Sequence, residues 1–375
     1  MTKYVVNKAY YGLGGLLAVL ACSVYYCRQS GRKLIIDWRG GHYGTPEINP
    51  YPTLFDYPAS ESVDVLEQIN SSDVYPEHWG DYISLPAPLA KGVPLTLATL
   101  DNVEAETEVS QRKKIIVLSR DSSHFYNQSL RRCFSDIFQS IKPRKELLEQ
   151  IEEFQGTIFQ RRPVIGVHYR HGNGEKSIIP ADIHWYFNAI DDLIEKCGSE
   201  YLIFLCTDCS RVLDRFVERY GSRVCSTHKA YNPPGSGAMH YWTDLASKLR
   251  SAEEAIKDIW LLSKCDRMVI SKSFFAYAAA RINGSLENET MKMYVPKNRS
   301  FKQPQDWVSA SSVTGVSKVF KEARMAMDSV YVKENEGISR LFYLYEPVGV
   351  LNSAFSPIGE SWSVILDRIK DIRSY

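Results

Sequence analysis

The sequence predicts an α/β protein built of two Rossmann-like, doubly wound domains that face each other across a cleft. Three observations carry that expectation. The chain opens with a complete βαβ unit. From residue 163 to residue 296, short apolar runs alternate with stretches of helical period, the pattern of a parallel sheet with right-handed crossovers. With 375 residues the chain is long enough for two cores of ordinary size.

The opening unit comes first. "KYVVNKA" (3–9) reads as a strand, "YYGLGG" as a tight glycine turn, "LLAVLACSVYYCRQS" (16–30) as a helix and "RKLIIDW" (32–38) as a second strand. Gly31 stands where a left-handed helix cap belongs. Residues 10–27 carry no charge, so a membrane span or a lipoprotein signal ending in "VLAC" is the competing reading. A span needs about 20 apolar residues, and this run includes three glycines and four tyrosines. A helix covered on two sides by a sheet and a second layer is apolar nearly all round, and that is the expectation here. Gly12, Gly14 and Gly15 give G-x-G without the rest of the dinucleotide fingerprint. They read either as a place where backbone approaches a ligand or as an ordinary turn.

Residues 40–110 are rich in Pro, Asp, Ser and Tyr and show little periodicity, which suits loops and short helices. "KKIIVLSRD" (113–121) is a buried strand, followed by a helix, a break at Pro143 and an amphipathic helix. The second series then begins: strands at 163–170, 200–208, 222–228, 266–272 and 291–296, with helices at 181–198, 210–221, 242–265 and 273–282. The domain organisation expected is residues 1–160, residues 161–300, and a partly helical extension over 301–375 packing back on the first domain.

Composition narrows the function. Apolar residues make up 44% and charged residues 24%, and 45 basic against 44 acidic residues leave a net charge of +1. No basic excess points to nucleic acid. The eight cysteines sit mostly inside apolar runs, the usage of a reduced, cytoplasmic protein. The sequence has no Walker loop, no G-x-S-x-G and no set of His, Asp and Glu with metal-ligand spacing, so no metal is expected.

In doubly wound sheets ligands sit at the carboxyl ends of the strands, so the residues after each strand are the candidates. "GVHYRHGNGEK" (166–176) is the richest. His168 and Arg170 share a strand face, and Arg170 is followed by the loop His171, Gly172, Asn173, Gly174 and then Glu175. An arginine fork backed by loop N–H groups suits a diphosphate, and Glu175 could act as a general base. A buried Arg–carboxylate pair beside a plain turn is the bland alternative. "FLCTDCS" (204–210) places Thr207 and Asp208 at a strand end, to orient Arg170, bind a ribose or start the next helix. Its C-x-x-C lacks a second pair and reads as buried thiols more readily than as metal or redox chemistry. His240 lies in a Gly/Pro loop, Asp258 on a helix, and Ser271 and Ser273 after a strand. Ser273 is equally a helix N-cap.

These motifs resemble those of the α-1,6-fucosyltransferases, in particular the nodulation type. "VIGVHYRHGNGE", "YGLGGLLAVLACSVYYCRQSGRKLIIDWRG", "IFQSIKPRKEL", "FLCTDCSRVLD" and "DIWLLSKCD" follow the family's order over roughly residues 5–282. The resemblance implies a GT-B fold, with the acceptor on the first domain and GDP-fucose held mainly by the second. It implies inverting transfer of L-fucose to a glycan hydroxyl, with no metal and no cofactor beyond the donor substrate. Arg170 would stabilise leaving GDP, and Glu175 would be the candidate base. His168, His171, Gly172, Asn173, Thr207, Asp208, His240, Asp258, Ser271 and Ser273 would line the donor site. Departures occur at Gly15, where the nodulation enzyme has an acid, at Cys209, which replaces a second Asp of the animal enzymes, and in "ISKSFF", which lacks their Ser-Gln pair. The alternatives are the same fold using GDP-mannose, GDP-rhamnose or a UDP sugar, and a membrane-tethered glycan-binding protein without turnover. The nucleotide sugar and the glycan are the expected partners, with no nucleic acid and no stable membrane insertion.

Overall fold

The computed structural model describes residues 2–86, 111–119, 131–173, 178, 180–197, 200–233, 235–237, 244–271, 273–284 and 291–294. Residues 1–125 and 129–295 form one compact unit, and residues 126–128 with 296–375 a second. The expected extension over 301–375 lies outside the described residues.

The first sheet is parallel, in the order β2-β1-β5-β4, from β1 (Tyr4–Asn7), β2 (Lys33–Ile36), β4 (Val74–Tyr75) and β5 (Ile115–Leu118). β1 is joined to β2 by α1 (Leu13–Ser30), whose residues 13–26 are all buried. α1 packs on β1 and β2 with one side and on α3 (Arg131–Ser140) and α8 (Phe274–Asn283) with another. That two-sided cover is the physical reason for the uncharged opening run. Among the described residues no helix is long and apolar enough to cross a membrane. Gly31 takes the left-handed conformation at φ 69° and its N–H closes on the Cys27 carbonyl, as the sequence predicts.

Between the strands, residues 40–86 hold a one-turn helix α2 (Tyr51–Leu54), three 3-10 turns and β3 (Phe55–Tyr57). β3 pairs antiparallel with β6 (Lys142–Pro143) in a small sheet that the sequence gives no sign of. α4 (Lys145–Phe154) continues as a π-type turn (Gln155–Phe159) into Gln160 and Arg161, both with positive φ. The expected boundary near 160 lies inside the first compact unit, between the two sheets in sequence.

The second sheet is also parallel, in the order β11-β10-β7-β8-β9. It contains β7 (Val164–Tyr169), β8 (Leu202–Thr207), β9 (Val224–Cys225), β10 (Arg267–Ser271) and β11 (Met291–Tyr294). β7 and β8 are buried along their whole length, as strands covered on both faces must be. On one face Ile165, Val167, Tyr169, Ile203 and Leu205 pack with α5 (Ile183–Cys197) and α6 (Ser210–Tyr220). On the other, α7 (Leu245–Leu262) and α8 lie over the sheet.

The carboxyl edges of the two sheets come together where α1 and α8 begin. A Cβ on Gly14 would run into the backbone of Phe274 and Phe275, so only glycine permits this approach. Tyr43, after β2, caps α1 by accepting the Leu13 N–H at 3.0 Å. From α7, Lys248 Nζ donates to the carbonyls of Gly41 at 3.3 Å and Gly44 at 2.9 Å.

Candidate active site at the strand ends

Arg170 leaves β7 at its carboxyl end, and its guanidinium donates to Asp208 Oδ2 at 2.6 Å. About a quarter of the arginine side chain stays exposed (26%), whereas the aspartate is 9% exposed. The remaining lone pairs of Asp208 take the loop backbone: Oδ1 accepts the His171 N–H at 2.8 Å and Oδ2 the Gly172 N–H at 2.9 Å. Asp208 therefore does the orienting that the sequence allowed for. It does not cap α6, whose N-cap is Cys209. Gly172 has φ +79°, and a Cβ there would collide with Ile178, so glycine is required twice over.

Asn173 follows with φ 47° and is almost fully buried. Its amide nitrogen donates to the carbonyls of Pro233 at 3.0 Å, Gly237 at 3.2 Å and Asn232 at 3.4 Å, and its Oδ1 accepts the Gly235 N–H at 3.2 Å. The side chain offered as a donor contact is thus spent on the protein. His171 Nδ1 accepts the Asn173 N–H at 3.2 Å.

His168 lies on the opposite sheet face from Tyr169, buried against α8. Its ring stacks on Phe275 at 4.8 Å between centroids, and its Nδ1 lies 3.4 Å from Ser273 Oγ. Burial pulls its pKa down to about 3, with Asp208 opposing and Arg170 and Lys229 adding to the shift, so the ring is neutral. Ser273 caps α8 by accepting the Ala276 N–H at 3.1 Å, the bland alternative the sequence offered.

Asp258, on α7, is buried and does not stand open. Thr227 donates to its Oδ1 at 2.5 Å, and Lys229 Nζ donates to its Oδ2. Burial works against the Lys229 charge, and the Asp258 carboxylate more than reverses it, so the lysine pKa is raised. Lys229 was missed: a single lysine in the polar stretch "STHKAYN" carries no mark of burial. Thr207 Oγ1, Ser271 Oγ and the Tyr231 hydroxyl are buried polar atoms with no hydrogen-bond partner among the described residues. Such hydroxyls need water or a ligand. Thr207 and Ser271 end neighbouring strands of β7, on its Tyr169 face.

Of the two readings offered for the glycine motif, the structure shows a packing role. Gly12 is the N-cap of α1, and Gly14 and Gly15 lie inside its first turn. They serve helix packing, because a Cβ on Gly15 would press into Tyr11 and one on Gly14 into the start of α8. Cys206 and Cys209 are buried free thiols with different surroundings. Cys206 Sγ lies 3.7 Å from the Asp258 carbonyl, and Cys209 belongs to the core against α5 and α6. Gly174, Glu175 and His240 lie outside the described residues.

The fold, two parallel sheets meeting at their carboxyl edges, is of the GT-B type. Residues 124–288 match the model of the Nodulation protein Z (NodZ) family. Nodulation protein Z of Bradyrhizobium diazoefficiens is 27% identical over 71% of this chain and 75% of its own length. That of Azorhizobium caulinodans is 28% identical over 71% of this chain and 84% of its own length. A crystal structure of NodZ α-1,6-fucosyltransferase co-crystallised with GDP superposes with a TM-score of 0.56. Its identity is 23%, over 75% of this chain and 92% of that one. A NodZ structure soaked with GDP-fucose gives 0.55 at the same identity, over 75% and 93%. The similarity to the NodZ family thus lies in residues 124–288, and the likeness to the solved NodZ structures is one of fold.

Proposed function

We propose that this protein is a glycosyltransferase that moves L-fucose from GDP-fucose to a hydroxyl of a glycan, with inversion at the sugar carbon. The observation that carries the reading is Arg170. It is oriented by Asp208 at the carboxyl end of β7, partly exposed, inside the segment that matches the NodZ family. Breaking the bond between sugar and diphosphate leaves charge on the departing GDP. A preorganised guanidinium stabilises that charge with no reorganisation at the moment of reaction. Asp208 lowers the cost of holding Arg170 in place, and the arginine side chain stays about a quarter exposed. The orphaned hydroxyls of Thr207 and Ser271 are suited to the donor's polar groups. Glu175, five residues beyond Arg170, is the candidate base that takes the acceptor proton, a role resting on its sequence position alone. Metal-independent turnover and a cytoplasmic setting complete the reading.

The test is fucose transfer from GDP-fucose to a panel of glycan acceptors, in EDTA, by wild type and Arg170→Ala. Wild type should turn over, and the variant should lose a factor of about 10²–10³ in kcat while remaining folded. Full activity in Arg170→Ala would refute the assignment. Turnover with GDP-mannose or a UDP sugar in place of GDP-fucose would keep the fold and replace the donor.

A further inference from the structure

The loop that carries Arg170 is braced on two sides. On one side the Asp208 carboxylate binds the Arg170 guanidinium and the N–H groups of His171 and Gly172. On the other side stands Asn173, which is not in the sheet and touches a segment some sixty residues away in sequence. Both hydrogens of its amide nitrogen point at carbonyls of residues 232, 233 and 237. Its Oδ1 takes the Gly235 N–H, and its own carbonyl takes the Gly237 N–H at 2.9 Å. That segment is in turn anchored a few residues earlier by the buried Lys229–Asp258 pair on α7. Asn173 adopts left-handed backbone, which asparagine tolerates better than most residues. An amide is the side chain that can donate and accept at once.

Resting on the donor reading above, we propose that Asn173 is a positioning residue. It ties the Arg170 loop to Asn232, Pro233, Gly235 and Gly237 and so fixes the place from which the guanidinium meets the donor diphosphate. Asn173 itself touches no phosphate. Its effect on donor binding is carried through Arg170.

The variant that isolates this role is Asn173→Asp, which keeps the size, the backbone preference and an acceptor for Gly235 but removes both N–H donors. Asn173→Gly, which keeps the backbone freedom without any amide or added charge, is the second. Two measurements decide. Hydrogen exchange should quicken in peptides covering 170–173 and 235–237 in both variants. GDP affinity should fall about tenfold, as expected for losing buried hydrogen bonds worth on the order of 1 kcal/mol. In an Arg170→Ala background the same substitution should change GDP affinity less than about twofold. Unchanged exchange, or an equal loss of affinity in both backgrounds, would overturn the proposal. Exchange needs no ligand, so it judges the tie between the loops even if wild type binds no GDP, an outcome that would overturn the donor reading instead.

Discussion

The carboxyl edges of the two parallel sheets are built from similar residues and used in opposite ways. At the first, Lys8 at the end of β1 and Asp37 after β2 are both almost fully buried, 2.6 Å apart. Arg39 closes on the other side of Asp37 at 2.9 Å, and Lys8 and Arg39 also donate to the carbonyls of Ile83 and Ser84. Burial disfavours the Asp37 charge, yet Arg39 and Lys8 together hold the carboxyl below its ordinary range. At the second edge, one arginine and one aspartate meet with the arginine partly exposed, and the Thr207 and Ser271 hydroxyls at neighbouring strand ends have no partner among the described residues. The first edge consumes its charges in holding residues 83–84 against the sheet. The second keeps a cation partly exposed. A cationic side chain at a strand end is therefore not by itself a sign of a ligand. What distinguishes the edges is whether every polar group is already answered.

That contrast is sharpened first by Asp37→Ala. Removing the only carboxylate of the cluster strands Lys8 in the interior, a loss of about 3–5 kcal/mol of stability. GDP affinity of the folded fraction should be unchanged. Chemical denaturation checks this, and a loss under about 1 kcal/mol would mean that the first edge is not held by these charges.

A second effect is set by His168. Its pKa of about 3 in the fold lies below the unfolded value near 6.5. The unfolded chain therefore takes up a proton that the folded chain refuses. Stability is full above about pH 6.5 and is lost as pH falls toward 3, by on the order of 2 kcal/mol at pH 5. His42, pulled to about 4 by burial and by Lys248, adds to the same limb. Replacing His168 with Gln should flatten the fall measured between pH 6.5 and 5. An unchanged acid limb would show that His168 is protonated in the fold.

The smallest effect is expected at Ser273. If its hydroxyl serves only as the cap of α8, Ser273→Ala costs about 1 kcal/mol of stability and leaves GDP affinity as it was. A large loss of affinity with little loss of stability would move Ser273 into the donor site.

Much of this architecture was legible because buried parallel strands are written as continuous apolar runs, and glycines punctuate the helices between them. "PVIGVHYR" and "EYLIFLCTD" could hardly be anything else, and Gly31 marked the end of α1. The pairing of Phe55–Tyr57 with Lys142–Pro143 was not legible. Two- and three-residue strands have no period, and their register is set by distant packing. In the site, Arg170 and Asp208 followed from the rule that ligands gather at strand ends. Gly14 and Gly15 misled because a glycine-rich helix start that must approach another helix looks the same in sequence as one that must approach a phosphate. Lys229 and the saturation of Asn173 were hidden because the partners of both lie far along the chain.

The most direct test of the contrast between the edges is thermal unfolding of wild type and Arg170→Ala with GDP, UDP, ADP or CMP, all in EDTA. A ligand at about 100 times its Kd adds roughly 2.7 kcal/mol, a rise of about 2–4 °C for each kcal/mol in a domain of this size. The account predicts a rise with GDP alone, clearly smaller in Arg170→Ala at the same GDP concentration. An equal rise with UDP, or a GDP response undiminished by the loss of Arg170, would contradict it.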